Sequence, residues 1–162
     1  MHPRWIICGP YWTGLRSLPP GSRPSSMEMR HQRAELPLKL DGLPAARSFF
    51  AGCIAHADPD VESVWVAHLD EGSRCLHLSR HRGDAEGASL PIRSIISDAV
   101  VHGSAAIVVA HNHPSGDARP SDSDCRATRR LACAAAALDC TVLDHLVFGG
   151  NNCTSLRQMG LL

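Results

Sequence analysis

Ala105-Ala-Ile-Val-Val-Ala-His111-Asn-His113-Pro-Ser-Gly-Asp-Ala-Arg-Pro-Ser121-Asp-Ser-Asp124 is the stretch whose reading decides the fold. Ala105 to Ala110 is a short continuous apolar run, which marks a central strand covered on both faces. It ends abruptly at His111, and a loop with Pro114, Gly116 and Pro120 follows. Ser121 suits the N-cap of a helix in which Ala127, Leu131, Ala134, Ala135 and Leu138 recur at helical spacing. The unit is therefore strand, polar loop and packed helix, with two imidazoles at the end of a buried strand.

The same grammar extends on both sides. Upstream, Pro91 opens a helix whose Ile92, Ile95, Ile96, Ala99 and Val100 form one apolar stripe, with Gly103 as a left-handed stop. Glu62 to Asp70 reads as a buried strand with Val64, Val66 and His68 on one face and Trp65, Ala67 and Leu69 on the other. A turn at Asp70-Glu71-Gly72-Ser73 leads to a strand from Arg74 to Arg80, a loop with Gly83 and Gly87, and a short extended piece over 88–90. Before these, Pro44 fits the first turn of a helix through Ala45, Phe49, Phe50 and Ile54. Downstream, Thr141 to Phe148 is a strand, Gly149 to Asn152 a turn, and Cys153 to Leu156 runs into a short final helix. Helix, strand, strand, helix, strand, helix, strand predicts an α/β or α+β sandwich.

The 162 residues suit one domain, and sixteen acids cancel sixteen bases, so no global field draws the chain to nucleic acid. Residues 1–35 hold five prolines among Gly, Ser and Arg without periodicity, and are expected to be a flexible tail, with 36–162 as the domain. The tail's arginines make a weak basic arm conceivable; a leader ahead of a true start at Met27 or Met29 is the simpler reading. Seven cysteines, an odd number without a C-x-x-C pair, argue for reduced thiols rather than a disulfide framework. No run approaches the roughly 20 apolar residues of a membrane span, and Trp5 to Cys8 is too short for a signal-peptide core. A soluble cytoplasmic protein is expected.

His111 and His113 are two residues apart, so on a strand prolonged by one step their imidazoles project to the same side. Asp124 from the following helix supplies a third ligand, leaving one position for water, the mark of a catalytic rather than a structural zinc site. Water in such a position has a pKa of about 7. Cys125 is the one neighbour able to close the site, and it diverges from Asp124 by about 100° around the helix. Taken separately, the H-x-H pair is weak evidence, and Ser121 with Asp124 also reads as a capping box. Manganese or iron is not separated from zinc by spacing, although two His and one Asp favour zinc, one ion per chain.

The run from His111 to Asp124 resembles the signature of the RadC family, a bacterial branch of the JAB/MPN metalloprotease-like domains. Their JAMM motif is a Glu, then H-x-H, seven residues and S-x-x-D, and the seven residues between His113 and Ser121 fit it without a gap. Glu62 to Asp70, Leu90 to Arg93, Leu143 to Leu146 and Ser155 to Leu162 are also similar to the family, so the likeness covers about residues 40–162. Ser94 stands where the family often has Glu, and residues 1–35 are not expected to form the helix-hairpin-helix region of full-length members.

The resemblance implies a JAB/MPN-like, cytidine-deaminase-like mixed sheet flanked by helices. It also implies Glu62 as general acid and base, and Ser121 as donor to the oxyanion. The function expected is zinc-dependent cleavage of an amide bond in a peptide or protein, as by a metallopeptidase or isopeptidase. The alternative is a DNA-repair-associated accessory or protein-binding module that keeps a structural metal. Asn112 is expected to point away from the ligands, and Ser115 and Asp117 to hold the loop. Asp144 and His145 are read as a structural hydrogen-bonded pair rather than a second metal site. His56, His68, His77, His81 and His102 lack partner spacing and are read as ordinary strand or surface residues.

Overall fold

The computed structural model of the chain describes residues 38–82 and 90–162. The expected tail, the loop with Gly83 and Gly87, and most of the short extended piece over 88–90 lie outside them. Within them, α1 (Gly42–Ala55), β1 (Ser63–Leu69), β2 (Cys75–Arg82), α2 (Ile92–His102), β3 (Ala106–Asn112), α3 (Asp122–Ala136), β4 (Thr141–Gly149) and β5 (Asn152–Ser155) follow in order. The strands form one mixed sheet in the order β2-β1-β3-β4-β5. β3 and β4 are parallel, and the other neighbouring pairs are antiparallel.

Alternation along β1 and β3 divides the core in two. Trp65, Ala67, Leu69, Val108 and Ala110 pack with Phe50 and Cys53 of α1 on one face. Val64, Val66, Ile107 and Val109 pack with Ile95 and Ala99 of α2 and Leu131 and Ala135 of α3 on the other. Every residue of both central strands is buried, as their largely apolar runs predict. Each fully buried Leu or Ile at these contacts, such as Leu131 or Ile95, contributes about 1.5 to 3 kcal/mol. The faces expected for β1 are met, and Gly103 closes α2 in the left-handed conformation at φ 60°.

Two boundaries differ from expectation. β3 does not stop before His111 but continues through Asn112, because β1 pairs Val64 with His111, and β4 pairs Val147 with His111 and Phe148 with Asn112. Cross-strand bonding on both sides carries polar residues that local propensity would have left in a loop. The final helix is absent: Asn152–Ser155 forms β5 against Leu146 to Gly149, and residues 156–160 are turns. Four residues gain more from completing a sheet edge than from a lone helical turn, whose nucleation is unfavourable.

Gly149, at the end of β4, sets where the loop after β3 lies. A Cβ there would stand 2.5 Å from both the Ala118 nitrogen and the Asp117 carbonyl carbon. Only glycine lets the 113–120 segment rest on the end of β4, over the C-terminal end of β3.

Candidate metal centre

Glu62, His111, His113 and Asp124 converge, with one ligand atom from each lying within 4.8 Å of the others. Three elements bring them together. β3 and the residue beyond it supply the histidines, the first turn of α3 supplies Asp124, and the residue ahead of β1 supplies half-buried Glu62. This is the one such group among the described residues, and Cys125 is not part of it. Cys125 instead faces an outer groove with Arg119, Arg126 and Arg129.

The hydrogen bonds fix which imidazole nitrogens carry protons. His113 Nδ1 is 2.7 Å from the Asp117 carbonyl oxygen, which can only accept, so Nδ1 bears the hydrogen and Nε2 keeps a lone pair. Thr128 Oγ1 donates its single proton to the Asp124 carbonyl at 2.6 Å and must accept from His145 Nδ1, also at 2.6 Å. His145 Nε2 is then an acceptor and takes the hydrogen of His111 Nδ1 at 2.7 Å. That leaves His111 Nε2 bare as well. The two Nε2 atoms face each other at 2.8 Å. Two opposed lone pairs at that distance repel unless a cation, a metal ion or a shared proton, sits with them.

Asp124 completes this demand. Its Oδ2 accepts from the Ser121 backbone and hydroxyl, both at 2.7 Å, while Ser121 Oγ accepts from the Asp124 N–H at 3.1 Å. The capping box is thus present, and it does not compete with the metal reading: the same carboxylate stands 3.7 Å from His111 Nε2 and 3.5 Å from His113 Nε2. Burial pushes the Asp124 carboxyl up, but the His113 imidazole and the Ser121 hydroxyl outweigh it and hold it well below the ordinary carboxylate range. The Asp124 carboxylate likewise raises His113, whereas burial lowers His111 to about 4 and drives His145 well below its usual value. An anionic carboxylate beside two imidazoles whose Nε2 atoms face one another is a donor set suited to a divalent transition-metal ion.

Asn112 turns away from the histidines and bonds backbone, one of the two roles its position allows. Its Oδ1 accepts the Ser63 N–H at 2.9 Å and its Nδ2 donates to the Val61 carbonyl at 3.2 Å. The Asp117 carboxylate holds the loop through the Arg119 N–H at 3.0 Å and the Arg119 guanidinium. Support of His113 comes from the Asp117 backbone, not its side chain.

Asp144 and His145 are the expected structural hydrogen-bonded pair, joined by the His145 N–H donating to Asp144 Oδ1 at 2.7 Å. Asp144 accepts from Ser155 Oγ and the Arg157 N–H, while His145 backs His111. Sequence reasoning missed this support by His145 and Thr128; only the β3 and β4 pairing, which sets Val109 beside His145, would have disclosed it.

The family model of the RadC-like JAB domain matches residues 44–161. A UPF0758 protein of Cellvibrio japonicus is 35% identical over 139 residues, covering 84% of this chain and 61% of that protein. One from Chloroflexus aggregans is 46% identical over 109 residues, 60% of this chain and 48% of its own length. One from Coxiella burnetii is 40% identical over 121 residues, 68% of this chain and 54% of that protein. The chain thus spans about half to three fifths of the length of these curated relatives.

Proposed function

The chain belongs to the family of RadC-like JAB domains, and from that premise we propose that it is a zinc-dependent hydrolase of amide bonds, of the JAMM metallopeptidase or isopeptidase type. The observation that carries this reading is the pair of bare Nε2 atoms of His111 and His113, 2.8 Å apart beside the Asp124 carboxylate. His111 and His113 would hold one zinc ion through Nε2, and Asp124 through its carboxylate. When bound there, zinc supplies Lewis acidity and lowers the pKa of a coordinated water to about 7.

The chain's own groups supply the rest. Glu62 is the remaining carboxylate of the cluster, and in this reading it takes a proton from the attacking water and returns it to the leaving amine. The Ser121 hydroxyl is the donor available to the carbonyl oxygen as charge develops on it. It now donates to Asp124 Oδ2, and the Ser121 N–H can keep that oxygen satisfied when the hydroxyl turns to substrate. The Asp117 carbonyl and the His145 to Thr128 relay keep both histidines in the ligating tautomer. A peptide or protein is the substrate class this chemistry fits. Among the described residues no helix is long and apolar enough to cross a membrane.

The test is a comparison of zinc-loaded wild type and Glu62→Gln against peptide and isopeptide-linked substrates. The variant should retain its zinc and lose about 10²- to 10⁴-fold in turnover. Cleavage by the variant at the wild-type rate would sink the role of Glu62.

A further inference from the structure

The groove that Cys125 faces begins beside the metal centre. Pro120 and Asp122 line it on either side of Ser121, whose hydroxyl bonds Asp124 Oδ2. Asp122, Arg126 and Arg129 recur at i, i+4 and i+7 on one face of α3, and with Arg119 of the preceding loop they form one wall. Exposed Met159 and half-buried Leu161, from the segment after β5, form the other.

The charge on the first wall is only partly balanced within the chain. The Arg119 guanidinium takes the Asp117 carboxylate at 2.6 Å. Arg126 and Arg129 are exposed, and among the described residues neither meets a carboxylate. Two like charges three residues apart on one helix face repel. The chain as a whole is neutral, so this concentration of positive charge is local, and a ligand carrying negative charge beside some apolar surface complements it. Nucleic acid fits less well. No aromatic ring lines the groove for a base to stack on, and a strand charged at every step would bring a phosphate against Asp122. A peptide can set acids against the arginines and a neutral residue against Asp122. Guanidinium groups pair with carboxylates through a planar fork, and the flexible Met159 adapts to an apolar neighbour.

We propose that this groove binds an acidic segment of a peptide or protein substrate, with carboxylates at Arg126 and Arg129 and an apolar side chain against Met159. Along a helix, Arg126 and Arg129 lie about 7.5 and 12 Å beyond Ser121. An extended peptide covers those lengths in about two to four residues, so the groove selects acids at that remove from the bond to be cleaved. The link to cleavage rests on the hydrolase reading; the binding itself does not.

The experiment uses the full, untagged chain and the fluorescence anisotropy of a labelled peptide of Gly and Ser with one Leu and several Glu, against a counterpart in which Gln replaces every Glu. At low salt the Glu peptide should bind about fivefold more tightly, two exposed guanidinium–carboxylate pairs each adding a few-fold. The preference should fade as salt is added. Arg126→Gln together with Arg129→Gln should abolish it, and Arg130→Gln, at an exposed arginine of α3 outside the groove, should leave it unchanged. Circular dichroism verifies that each variant is folded. Equal affinity for the two peptides, an unchanged preference in the folded double variant, or tighter binding of single-stranded DNA than of the Glu peptide would overturn the proposal. Anisotropy is read independently of turnover, so selective binding without cleavage by the zinc-loaded chain would sustain the groove and sink only the hydrolase reading.

Discussion

The Oδ1 of Asn112 accepts the backbone N–H of Ser63 at 2.9 Å, tying the strand that carries His111 to the residue that follows Glu62. The same side chain donates to the Val61 carbonyl at 3.2 Å, so both neighbours of Glu62 are held from one amide. The residue between the two candidate ligands therefore registers the candidate base against them. Asn112→Ala should cost about 1 to 3 kcal/mol by leaving the buried Ser63 N–H unpaired, and should loosen Glu62 while zinc stays bound. Urea unfolding and zinc content measured together check this; unchanged stability would contradict it.

The relay behind His111 makes a separate claim. His145→Leu removes the acceptor of the His111 Nδ1 hydrogen from a dry interior and frees the ring to change tautomer. Zinc affinity, measured by competition with a chromophoric chelator, should fall about 10- to 100-fold. Thr128→Val acts one bond further out and should give a smaller loss in the same direction. Wild-type affinity in the folded His145→Leu protein would show that the hydrogen-bond order does not set the ligand.

Stability should fall with pH when zinc is removed by chelator. His68 and His111 are lowered to about 4, and His145 is lowered as well, chiefly by burial. A histidine depressed in the folded state contributes stability that is complete above the unfolded value of about 6.5 and is lost as pH falls towards the folded value. His113, raised by Asp124, works the other way, adding stability below 6.5 that is lost as pH rises. Three groups outweigh one, and each buried histidine with a value near 4 is worth about 2 kcal/mol between pH 6.5 and 5. Urea midpoints should drop from pH 7.5 to 5; a constant or rising midpoint would contradict the assignment.

Much of this was legible from local pattern. The unbroken apolar runs of β1 and β3, the stripe of α2 with Gly103 behind it, and Ser121 ahead of α3 are decided within a few residues of themselves. His111, His113 and Asp124 follow from alternation and one helical turn. What was hidden depends on register between distant segments. β5 is too short to carry a period, and it exists because β4 offers an edge. Asn112 reaches Val61 and Ser63 only because β3 lies beside β1, and His145 reaches His111 only because β4 lies beside β3.

Zinc content of the purified, untagged protein, by elemental analysis of wild type and His113→Ala side by side, tests the central claim most directly. The expected result is about one zinc per chain in wild type and its loss in the folded variant. Equal zinc in the two proteins would mean that the facing Nε2 atoms of His111 and His113 hold only a proton, and the hydrolase reading would fall with the metal.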